Sequence, residues 1–135
     1  MNAKQLAKIL VVDDDPDLLT IVKYALGLDK NLTVKCLSSA EEALKEVVVF
    51  QPDLILLDVM MPKMDGVAML KILRSQPPTA SIPVVFFTAR VAEDELKAYK
   101  DLQVQGVIIK PFDPLSLAKQ IQELWKNAEI SLKIS

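Results

Sequence analysis

Five polar side chains stand at or just beyond the ends of apolar runs: Asp13 and Asp14 after KILVV, Asp58 after LILL, Thr88 closing VVFFT, and Lys110 after VII. These are hard-oxygen and point-charge groups. Three carboxylates brought within ~4 Å of one another repel by on the order of 4 kcal/mol per pair at an effective dielectric of ~20. Lys110 offsets part of that cost, and a divalent cation offsets it better. Mg²⁺ suits the ligands available: one or two carboxylates, a backbone carbonyl and retained water. Zinc would ask for sulfur or imidazole. A carboxylate beside such an ion, with a hydroxyl and an ammonium in reach, has the parts for phosphoryl transfer. Asp58 is then the nucleophile, and Thr88 and Lys110 hold the equatorial oxygens as charge develops.

The chain has no histidine. This excludes Ser-His-Asp and Cys-His catalysis and any His-ligated metal site. If the phosphoryl donor is a phosphohistidine, another protein must supply it. Each element alone has a plainer explanation. An acidic run before Pro16 suits a helix start, a β-branched Thr88 suits a strand, and Lys110 before Pro111 suits a solvated loop. Asp58 resists such a reading, because an unpaired buried charge is costly. The joint placement on successive strand ends favours a site.

Five strand-like runs can carry these residues: Lys8–Val12, Leu32–Leu37, Leu54–Leu57, Val84–Thr88 and Val107–Ile109. Helical periodicity follows each. In the first helix Leu18, Ile21, Val22 and Ala25 form one stripe, with Asp15 as N-cap and Pro16 at the first helical position. Ser39 and Glu42 have capping-box spacing for the second. The third starts near Asp65 and ends before Pro77-Pro78. The fourth, VAEDELKAYK, is short and polar, with Val91, Leu96 and Tyr99 as its main apolar residues. The fifth carries Leu117, Ala118, Ile121, Leu124 and Trp125 on one face. Residues 128–135, AEISLKIS, read as a C-terminal tail or a vestigial strand, which leaves 1–127 as one domain.

Strands that alternate with helices give a parallel sheet covered on both faces. The expected architecture is α/β: a doubly wound, five-stranded parallel sheet in the order 2-1-3-4-5. Function in such a sheet belongs in the crevice at the carboxyl ends of strands one and three.

Composition excludes several function classes. A chain of 135 residues with 51% hydrophobic content can bury a single core. Net charge −2 and a pI near 5.1 give no basic footprint, so no direct nucleic-acid contact is expected. No apolar run approaches the ~20 residues that cross a bilayer. The N-terminus runs into three aspartates, unlike a signal peptide, and a cytoplasmic location is expected. The lone Cys36, inside an apolar stretch, reads as a small core residue.

The motifs VVDDD, LLDVMMPKMDG, FFTAR and IIKPF resemble those of bacterial response-regulator receiver domains, the CheY-like family with a flavodoxin-like sheet order. The resemblance runs from Lys8 to about Trp125. It implies that Asp58 accepts the phosphoryl group. Asp14 would bind Mg²⁺ directly and Asp13 largely through water, with the Met60 carbonyl as a further ligand. Thr88 would be the switch hydroxyl, and Lys110 the lysine on the phosphoryl group. The implied donor is a histidine kinase or a histidine phosphotransfer protein, and the implied readout is a downstream protein. The implied chemistry is confined to the domain's own phosphorylation and slow dephosphorylation.

Val107 departs from that pattern, since receivers often carry Tyr or Phe three residues before the lysine. A β-branched side chain cannot make the large inward rotation of a ring, so the signal is expected to travel through the Thr88 loop and the fourth helix. Met60 and Arg90 flank the site and are expected to govern water access. Two other functions compete. A Mg²⁺-dependent phosphoaspartyl hydrolase of small phosphate esters would need a second acid two residues after its nucleophile, where Met60 stands. A flavodoxin-like FMN or nucleotide carrier would need a phosphate-binding glycine loop, which Gly27, Gly66 and Gly106 do not make.

Overall fold

The computed structural model describes the backbone of residues 5–89 and 92–134, and the side chains of these up to residue 127. The elements run β1 (Lys8–Val12), α1 (Pro16–Gly27), β2 (Thr33–Leu37), α2 (Ala40–Phe50), β3 (Leu54–Asp58), α3 (Gly66–Ser75), β4 (Val84–Thr88), α4 (Glu93–Asp101), β5 (Gly106–Ile109) and α5 (Leu117–Ile134). All strand pairs are parallel and the order is β2-β1-β3-β4-β5.

Alternate residues of each buried strand enter different cores, because successive side chains point to opposite faces. On one face Ile9, Val11, Leu54, Leu56, Val85 and Phe87 meet Leu19, Val22 and Leu26 of α1 and Leu117, Ile121 and Trp125 of α5. On the other, Leu10, Val12, Ile55, Leu57, Val84 and Phe86 meet α2, α3 and Tyr99 of α4. Every residue of β3 and β4 is buried, which accounts for the apolar runs LILL and VVFF that lead up to Asp58 and Thr88. Each fully buried Val, Leu, Ile or Phe contributes about 1.5–3 kcal/mol relative to exposure. α4 is the exception among the helices: Tyr99 is its one buried side chain, with its ring in edge contact with Phe86 at 4.8 Å.

Local signals set the helix starts. Asp15 accepts the amides of Asp17 and Leu18 with Pro16 in the first turn, Ser39 accepts the Glu42 amide, and Asp65 accepts that of Ala68. After α3, the buried Thr79 hydroxyl donates to the Leu73 carbonyl at 2.7 Å, and Arg74 donates to the carbonyls of Ala80 and Ile82.

Two sequence expectations are corrected. Ile21 is 47% exposed; the buried stripe of α1 is Leu19, Val22, Ala25 and Leu26, with Leu18 at its margin. Either choice fits a 3.6-residue period, and the rotation that seats Leu19 and Leu26 on the sheet turns Ile21 outward. Residues 128–134 form no strand, since the backbone of α5 remains helical to Ile134. Both outer strands of the sheet, β2 and β5, are already paired on their inner sides within the 2-1-3-4-5 order.

Candidate functional site

β1 and β3 lie side by side, with Val12 opposite Leu57, and α1 and α3 leave their ends toward opposite faces. This is the crevice of a doubly wound sheet. One carboxylate oxygen each from Asp13, Asp14 and Asp58 lies within 4.8 Å of the others. Asp13 and Asp58 are buried and Asp14 is exposed, so the cluster has a floor and an open side.

Asp13 follows β1 directly, where its amide donates to the Leu37 carbonyl. Its Oδ1 accepts the Asp15 amide at 2.9 Å, and its Oδ2 accepts Lys110 Nζ at 2.8 Å. Asp58 closes β3, and its Oδ1 accepts the Met60 amide at 3.2 Å and lies 3.5 Å from Lys110 Nζ. Lys110 therefore bridges the two buried acids. Its own amide donates to the Thr88 carbonyl, and its ammonium sits 5.0 Å from the centre of the Phe87 ring, which packs on Phe112. Thr88 is buried at the end of β4, one step beyond Phe87, which pairs with Asp58.

Burial is the main cause that lifts the Asp58 carboxyl from 3.8 to about 6. The Asp13 charge adds to it, Lys110 and the Met60 amide oppose it, and Asp14 adds a smaller push upward. The group remains mostly ionised at neutral pH and is more basic than an ordinary aspartate, which suits a nucleophile.

The structure thus brings together Asp13, Asp14, Asp58 and Lys110 through contacts, with Thr88 placed beside them by strand register. The Met60 side chain is 75% exposed at the rim. Arg90 lies outside the described residues. Sequence alone does not single out Phe87 as the platform under Lys110; the paired aromatics in VVFF were its only signal. Cys36 is half-buried, with Sγ 3.9 Å from the Leu19 carbonyl, and burial pushes its thiol pKa up.

A parallel sheet of this order with an acid cluster at its switch point defines a receiver-type phosphorelay fold. The chain belongs to the response regulator receiver domain family, whose sequence profile matches residues 9–122. Its relatives include the alkaline phosphatase synthesis transcriptional regulatory protein PhoP of Bacillus subtilis, 36% identical over 127 residues. That alignment takes in 92% of this chain and 50% of PhoP. An uncharacterized 14.6 kDa protein of Leptolyngbya boryana is 34% identical over 85% of this chain and 87% of its own length. Among solved structures, the chemotaxis protein CheY4 of Vibrio cholerae superposes with a TM-score of 0.80 at 29% identity, covering 88% of this chain and 98% of that one.

The protein is accordingly a signalling domain of the phosphorelay type. The chain spans about half the length of PhoP, which is named as a transcriptional regulator, so the expectation of no nucleic-acid contact concerns these 135 residues alone. Among the described residues, no helix is long and apolar enough to cross a membrane.

Proposed function

We propose that residues 1–127 act as a switch that accepts a phosphoryl group on Asp58 from the phosphohistidine of a histidine kinase or histidine phosphotransfer protein. The observation that carries this reading is the buried Asp58 carboxylate, held 3.5 Å from Lys110 within an acid cluster. An Asp58 oxygen forms the new bond to phosphorus as the phosphorus–nitrogen bond to the donor imidazole breaks, and the imidazole departs with the electron pair. Lys110 supplies positive charge on one side of the transferring group, and Thr88 a hydroxyl on the other. Afterwards, water cleaves the acyl phosphate slowly.

The donor set fits Mg²⁺: carboxylates of Asp13, Asp14 and Asp58 and the Met60 carbonyl are hard oxygens, and the open side at Asp14 leaves room for retained water. The ion would supply charge neutralisation for phosphoryl oxygens. Three carboxylates with one lysine carry two net negative charges, which a dication balances.

Val107 lies opposite Phe86 and is half-buried, while α4 reaches the same Phe86 through Tyr99. Phosphorylation is therefore read out through Thr88 and α4 rather than by an inward ring rotation. Structures of the free and phospho-mimic forms will differ in α4 and the loop before it; a fixed α4 would rule this route out. The acceptor is tested by incubation with Mg²⁺ and acetyl phosphate, followed by intact-mass measurement. Wild type should gain one phosphoryl group and Asp58→Asn none. A gain that maps to another side chain would overturn the assignment. A generic phosphate ester should show no turnover.

A further inference from the structure

We infer that Gly66 is a positioning residue for the acceptor, because its missing side chain allows the first turn of α3 to press against the back of Asp58. A Cβ added at Gly66 would lie 2.4 Å from the Asp58 carbonyl oxygen, 2.9 Å from Val59 Cα and 3.1 Å from the Asp58 carbonyl carbon. All three are backbone atoms, so no change of rotamer can relieve the contact. Conformational freedom does not explain the residue, since no glycine of the chain has positive φ. The close approach does.

The contact closes a loop. Gly66 donates its amide to the Val59 carbonyl at 2.9 Å, which pins the start of α3 to the end of β3. Between the pinned ends, Lys63 adopts the left-handed conformation and the Met64 amide donates to the Pro62 carbonyl. The same loop begins with Met60, whose amide holds Asp58 Oδ1. Closure at Gly66 therefore sets the direction of the Asp58 carboxylate through the Met60 amide. On the reading proposed above, which this inference deepens, it would also orient the Met60 carbonyl, one of the groups that would hold Mg²⁺. An alanine at Gly66 forces α3 to withdraw or the Asp58–Val59 peptide to rotate, and either movement misdirects both oxygens.

Gly27 provides a matched control, because a Cβ there meets nothing within 4 Å. The experiment compares wild type, Gly66→Ala and Gly27→Ala by Mg²⁺ calorimetry, by the rate of phosphorylation from acetyl phosphate at saturating Mg²⁺, and by urea midpoint. Gly66→Ala should lose about tenfold or more in both Mg²⁺ affinity and phosphorylation rate, since small misplacements of reacting groups cost on that order. Gly27→Ala should stay within about twofold of wild type, because it removes no contact. A folded Gly66→Ala that matches wild type in both measurements overturns the inference. Wild type that neither binds Mg²⁺ nor gains phosphate would instead overturn the underlying reading. A second measurement needs no variant: amide exchange of Gly66 in wild type, compared with Met69 in the next turn of α3. Mg²⁺ should slow exchange at Gly66 more than at Met69, and equal slowing refutes the coupling even if Gly66→Ala does not fold.

Discussion

Replacing Asp58, the proposed phosphoacceptor, with its uncharged isostere should make the metal-free protein more stable at neutral pH. Asp58 titrates at about 6 in the fold against 3.8 as an ordinary aspartate, chiefly because it is buried and next because Asp13 is negative. Between those values the folded protein holds a proton that the unfolded chain has released. Stability therefore falls as pH rises through this window, is unaffected by the group below it, and bears the full cost above it. At ~1.36 kcal/mol per pH unit, the interval amounts to about 3 kcal/mol against folding. The attraction of Lys110 is already contained in that figure. Asp58→Asn removes the charge and should gain about 2–3 kcal/mol near neutral pH, the lower end allowing for burial of the amide. Urea unfolding in EDTA reads this as a midpoint raised by about 1–2 M, given ~1–3 kcal/mol per molar for a domain of this size. The advantage should vanish as pH approaches 4 and shrink when Mg²⁺ is added, since an ion bound to the folded wild type stabilises it by mass action. An asparagine variant no more stable than wild type near neutral pH would refute the electrostatic account, as would an advantage that persists unchanged in acid.

Lys110→Ala leaves the buried Asp13 and Asp58 without their shared cation and should cost about 1–3 kcal/mol in EDTA. Added Mg²⁺ should recover part of that in the same urea titration, while phosphorylation from acetyl phosphate should slow at least ~10-fold. Replacing the exposed Met60 side chain should change the rate of dephosphorylation more than that of phosphorylation; equal changes in a phosphate-release assay would count against a gate for water. Thr79→Val removes a buried hydroxyl bond to Leu73 and should cost about 1–2 kcal/mol in a thermal or urea melt, with phosphorylation unaltered.

The sheet was legible because its signals were local. LILL and VVFF are apolar on every residue, as strands buried on both faces must be, and Asp15-Pro16, Ser39 and Asp65 mark helix starts by the chemistry of orphan amides. The polar groups of the site could be placed because each stands at or just beyond the end of its strand and the strand order fixes which ends are neighbours. What sequence did not resolve depends on packing across the fold. The rotation of α1 that exposes Ile21 is decided by contacts with α5 and the sheet, and a 3.6-residue period accepts either stripe. The helical run past Trp125 contains β-branched residues that read equally as strand. The pressure of Gly66 on Asp58 has no sequence signature beyond a turn-like Asp-Gly, which here caps a helix.

One ring has a mechanical consequence. Tyr99 is the sole buried side chain of α4, so that helix hangs from the sheet by a single peg in Phe86, while α1 and α3 each sink several residues into a core. Local opening follows the number of buried contacts, which makes α4 the segment that can tilt or slide without disturbing the rest. A signal arriving at the neighbouring strand end would have little restoring force to overcome there.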